Sequence, residues 1–98
     1  MRIEVSREAA DFVLARGGRL WVWSARPAMC CSGTPAFMHA ATEPPQDVEG
    51  FGDSVPVSGL QIRFRAPAGR APDVLEIGLH GKLRPRVEAY WDGCLMAL

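Results

Sequence analysis

Leu60, Ile62 and Phe64 alternate with Gln61, Arg63 and Arg65, and this two-residue period is the strongest constraint in the chain. Successive side chains of a strand point to opposite faces, so such a run offers one face to a core and the other to water. Leu75, Ile77 and Leu79 alternate in the same way with Glu76, Gly78 and His80, and Val87, Ala89 and Trp91 with Arg86, Glu88 and Tyr90. The stretch from Arg19 to Ser24 differs, because Leu20, Trp21, Val22 and Trp23 are apolar in succession. That pattern predicts a central strand with both tryptophans used in packing. Ala36 to Ala41 reads as a further modest strand.

One segment breaks the period. Ser6 is placed to cap a short helix with Glu8 and Asp11 near its positive end, and Ala10, Val13 and Leu14 form one stripe at helical spacing. Gly17 and Gly18 provide a left-handed stop, which predicts an end near Arg16. The remaining segments are turn material: the residues before Val57, the run 66–72, Gly81 to Pro85, and Asp92–Gly93 ahead of an apolar tail, 95–98. The expected fold is a mainly-β α+β domain with one short N-terminal helix and about five or six short strands. No internal repeat is visible.

Length limits this to one domain, 1–98. A chain of this mass buries roughly 65% of its unfolded surface, enough for one modest core. Eleven basic residues balance eleven acidic ones, and this neutrality argues against nucleic acid as a partner. The balance is unevenly distributed: residues 1–40 sum to +2, residues 41–59 to −4 and residues 60–98 to +2. The acidic, proline-rich block 42–50 is expected to be a solvated connection within the domain. No apolar run approaches the roughly 20 residues of a membrane helix, and the start of the chain alternates charged with apolar residues. The expected location is cytoplasmic, with no membrane partner.

Motifs of common enzymes are missing: no phosphate loop ending in Lys-Ser or Lys-Thr, no His-Glu-x-x-His, no Gly-x-Ser-x-Gly and no Cys-x-x-Cys. Three cysteines remain, Cys30, Cys31 and Cys94, each in or beside a turn of small residues. An odd number cannot pair fully within the chain, and reducing conditions would keep them as thiols, which leaves free thiols, metal ligation or a redox role open. His39 and His80 are candidate additional ligands, since imidazole suits iron and zinc. A thiol enzyme would need one of these histidines as its base. Neither stands at a recognised spacing, so a non-enzymatic chain is expected.

The order of these features resembles the A-type iron–sulfur carrier family, also called HesB-like. Members are similar in opening with a short strand and an Ala-rich, Ser-capped helix, as in Ile3-Glu4-Val5-Ser6-Arg7-Glu8-Ala9-Ala10, followed by a glycine-led strand, as in Gly17-Gly18-Arg19-Leu20-Trp21-Val22. Their Gly-Cys-Ser-Gly loop is matched by Cys30-Cys31-Ser32-Gly33, and their acidic stretch and hydrophobic strand by Glu43-Pro44-Pro45-Gln46-Asp47 and Gly59-Leu60-Gln61-Ile62. The family closes on Cys-Gly-Cys, whereas this chain has only Gly93-Cys94, and Cys30 stands where the family has glycine.

The resemblance implies a HesB-like fold, a homodimer, and an iron–sulfur cluster or iron held by Cys31 and Cys94, with Cys30 as a substitute ligand, for delivery to an apoprotein client. Clusters commonly take four thiolates, which two copies of Cys31 and Cys94 would supply. The alternative is a fold of this type that has lost its cluster and serves as a protein-interaction or structural module.

Overall fold

The computed structural model describes residues 2–25, 36–65, 72–81, 83–93 and 96–97. The elements follow in the order β1 (Arg2–Val5), α1 (Arg7–Leu14), β2 (Arg19–Ala25), β3 (Ala36–Ala41), β4 (Val55–Val57), β5 (Leu60–Arg65), β6 (Val74–His80), β7 (Arg86–Trp91) and β8 (Met96–Ala97). The fold is mainly β, with one short helix among the described residues. Eight strands among the described residues exceed the five or six expected. The additional ones, β4 and β8, are three and two residues long, too short to display a period.

The strands form two mixed sheets, in the orders β1-β6-β7 and β4-β5-β2-β3-β8. β1 runs parallel to β6, with Arg2 opposite Val74 and Val5 opposite Ile77, and β2 runs parallel to β5, with Arg19 opposite Gln61 and Trp23 opposite Arg65. The other pairings are antiparallel. β2 is central, flanked by β5 and β3, as its unbroken apolar run predicts. Pro56 sits in β4 at the sheet edge, where its missing N–H costs no ladder bond.

The alternating residues divide as their period requires. Leu20, Val22, Leu60, Ile62, Leu75, Ile77, Val87, Ala89 and Trp91 face one shared core, with Ala9, Ala10 and Val13 of α1 packed against it. The helix links the sheets and is tied to both, since the Ser6 N–H donates to the Ile77 carbonyl at 2.9 Å and the Gln61 N–H to the Gly18 carbonyl at 2.8 Å. Ser6 caps α1 by accepting from the Ala9 N–H at 3.2 Å. The helix ends at Leu14, two residues before the expected end, and Leu14 is half exposed while Ala9 is fully buried. At the last helical position the Leu14 side chain leans over Gly18 and Gly59 and not into the core.

β4 and β5 are joined by Ser58 and Gly59, with φ of 52° and 81°. Two positive values define a type I′ hairpin turn, whose twist matches that of the flanking strands. No helix among the described residues is long and apolar enough to cross a membrane.

The outer face of the first sheet carries Glu4, Glu76 and Tyr90 in one row across β1, β6 and β7. The Tyr90 hydroxyl donates to Glu88 Oε2 at 2.8 Å. That hydrogen bond, with partial burial and the neighbouring carboxylates, raises the Tyr90 pKa above its ordinary value of 10.0. A folded-state pKa above the unfolded one means that stability is fully present below about pH 10 and is lost as pH rises through the folded value. Tyr90 is the sole tyrosine. Its tyrosinate absorbance in the folded protein should therefore appear at higher pH than in denaturant, and Glu88→Gln should move the midpoint back down. Equal midpoints in wild type and variant would contradict this geometry.

Candidate functional site

Cys30, Cys31 and Cys94, the expected ligands, lie outside the described residues. The elements on either side of them are defined. β2 and β3 are antiparallel neighbours with Ala25 opposite Phe37, so the segment that includes Cys30 and Cys31 connects two adjacent strands. β8, which follows Cys94 after one residue, pairs with the start of β3, Ala36 opposite Ala97 and Phe37 opposite Met96. Both cysteine-bearing segments are thus anchored on the same end of β3.

The turn ahead of Cys94 is held firmly. Asp92 takes a left-handed conformation with φ of 48°, and Gly93 follows with φ of 86°. The Val74 N–H donates to Asp92 Oδ1 at 2.8 Å while the Asp92 N–H donates to the Val74 carbonyl at 3.0 Å. This reciprocal pair fixes the exit of β7 against the start of β6, and the Asp92–Gly93 turn stands where the sequence predicts it.

The histidines are not brought together. His39 is exposed on the outer face of the five-stranded sheet and stacks on Trp23, with ring centroids 5.6 Å apart. His80 is exposed at the end of β6, on the other sheet, and alternates there with the buried Ile77 side of its strand. Side chains facing outward from two opposed sheets cannot share one ion. Among the described residues no three His, Cys, Asp or Glu side chains are grouped to hold a metal.

The outer face of the five-stranded sheet is rich in cations and rings. Arg19 lies over Trp21 at 5.8 Å from the ring centroid, and Arg63 is opposite Trp21 across the β2–β5 ladder. In the next row Arg65, Trp23 and His39 stand side by side. The acidic connection folds back onto this row: Arg65 Nη1 donates to the Asp47 and Glu49 carbonyls, each at 3.2 Å, and lies 3.8 Å from Asp47 Oδ2. Phe51 packs edge-on against Trp23 and beneath the Arg65 guanidinium. Trp23 is therefore only half buried, and its role goes beyond core packing. The signal for this face was the Arg-Trp-Trp alternation at 19, 21 and 23 beside Arg63 and Arg65. It becomes readable only once β2 and β5 are known to be parallel neighbours.

A cleft of about 570 Å³ also opens between β3 and β7. Phe12, Met38 and Val87 form its apolar wall, while Arg16 and Arg86 oppose Glu43 and Glu88, so its charge selects neither anions nor cations. No protein-family model matches the chain, and neither a curated protein nor a solved structure matches it.

Proposed function

We propose that this chain is a thiolate-based binding protein for an iron–sulfur cluster or iron, of the HesB-like carrier type, using Cys31 and Cys94 with Cys30 as substitute ligand. The supporting observation is the β3–β8 pairing, which anchors the two cysteine-bearing segments on one sheet edge although they are more than sixty positions apart in the chain. Thiolates suit iron in chemistry, and Cys31 and Cys94 from each copy of a homodimer would supply the four that a cluster commonly takes. When bound, the cluster or iron is cargo, passed to an apoprotein by exchange of thiolate ligands. Asp92 and the β3 ladder hold the described residues that flank the two segments.

Anaerobic reconstitution with iron and sulfide, followed by visible absorption, tests this reading. Wild type should colour, and Cys31→Ser and Cys94→Ser should each lose most of the absorbance. A colourless wild type across several reconstitution conditions would sink it. The second reading, an interaction module that has lost its cluster, draws on the edge of β3. Among the described residues only Ala36 and Phe37 are paired on that side, and Met38 to Ala41 face β7 across the cleft without a ladder partner. A metal-free dimer that persists with all three cysteines replaced by serine would favour that reading.

A further inference from the structure

We propose that the outer face of the five-stranded sheet, centred on Arg63 with Arg19, Trp23 and His39, is a docking surface for an acidic segment of a protein partner. Charge accounting carries the first part of the argument. All eleven Asp and Glu residues are among those described, and the ion pairs they form with described residues within 4.0 Å engage Arg2, Arg65 and Arg86. Arg19 and Arg63 are exposed and have no side-chain carboxylate of this chain at that distance. No strand of this sheet contributes an acidic residue to the face. On the other sheet the outer face carries Glu4, Glu76 and Glu88 together with Arg2 and Arg86, and the ion pairs Arg2–Glu4 and Arg86–Glu88 engage both of its cations, unlike Arg19 and Arg63.

The second part is the occupant already seated beside Arg63. Residues 47–51 rest on Arg65 and Trp23 through a carboxylate, two carbonyls and a phenyl ring, so the chain itself shows which chemistry this face accepts. Arg63 is one pleat along β5 from Arg65, about 7 Å, which is the spacing of alternate residues in an extended peptide. A guanidinium fork matches a carboxylate in two hydrogen bonds. An acidic segment laid along β5 would place its carboxylates on Arg63 and Arg19 and an apolar side chain on the exposed His39 ring beside Trp23. The rings also admit nucleobases, but the observed occupant is peptide, and Trp21 is too well buried to serve as a stacking platform.

The probe is the capped peptide acetyl-Asp-Glu-Phe-Glu-Asp-amide, with its Asn/Gln counterpart and a short oligothymidylate as comparisons, each titrated against the full chain without added iron and followed by tryptophan fluorescence. Omitting iron keeps the outcome separate from that of cluster reconstitution. The acidic peptide should bind, weaken with salt, and lose about tenfold in affinity with Arg63→Glu, less with Arg63→Gln. Arg2→Glu, on the outer face of the other sheet, should leave binding unchanged. The proposal is overturned if the uncharged peptide binds equally well, if Arg63→Glu has no effect, or if oligothymidylate binds more tightly than the acidic peptide.

Discussion

Leu20→Ala is expected to lower the unfolding free energy by about 2–5 kcal/mol, because it removes a fully buried side chain and leaves a cavity that the surroundings only partly fill. Leu20 lies on β2, which has partners on both sides, and β2 cannot shift to close the space without breaking two ladders. A domain of this size has only about 5–15 kcal/mol in total. Each kcal/mol corresponds to roughly 4–8 °C in the thermal midpoint, so the variant should melt well below wild type, and part of the population should be unfolded at moderate temperature. Leu83 provides the comparison, being 98% exposed. Leu83→Ala should change stability by less than about 0.5 kcal/mol. Equal midpoints for the two variants would show that the core assigned to β2 is wrong.

Gly81→Ala is expected to cost on the order of 2–3 kcal/mol from strain and steric overlap together. Gly81 opens the turn between β6 and β7 with φ of 102°, and a Cβ there would lie 2.7 Å from the Arg84 carbonyl oxygen. The obstacle is backbone, so no side chain can rotate away. Gly17 separates the two contributions, since its φ of 110° is nearly the same and a Cβ would meet nothing within 4 Å. Gly17→Ala should therefore carry the conformational cost alone, and the difference between the two denaturant midpoints should measure the overlap. A Gly81 variant no less stable than the Gly17 variant would refute the turn geometry.

What could be read from the sequence was whatever repeats locally. The alternation in β5, β6 and β7 identified both the strands and their inward faces, the unbroken apolar run identified β2 as central, and Ser6 marked the helix start. The pairing partners were hidden. Arg19 stands opposite Gln61 because β2 and β5 are hydrogen-bonded side by side in one sheet, and nothing in either segment names the other. β4 and β8 were missed for a different reason, being held by neighbours and carrying no pattern of their own. The cysteines could be singled out in the sequence as candidate donors, and they lie outside the described residues. The cation and ring face was not legible, because it is assembled from β2, β3, β5 and the acidic connection. That connection, expected to be solvated, is largely exposed and yet tied down by Arg65.

The parallel pairing of β1 with β6 also bears on how this molecule comes into being. Arg2 must wait for Val74, its partner 72 positions further along. Ordering so distant a pair means closing a very long loop before any reward arrives, and topologies dominated by such pairs reach the native state in milliseconds to seconds, not microseconds. During synthesis, at about 5–20 residues per second, the first strand remains without its neighbour for several seconds after it emerges from the ribosome. Its unsatisfied edge is then available to other nascent chains. The short length of β1 and the charges of Arg2 and Glu4 within it limit that hazard, as short charged edges do in other β proteins.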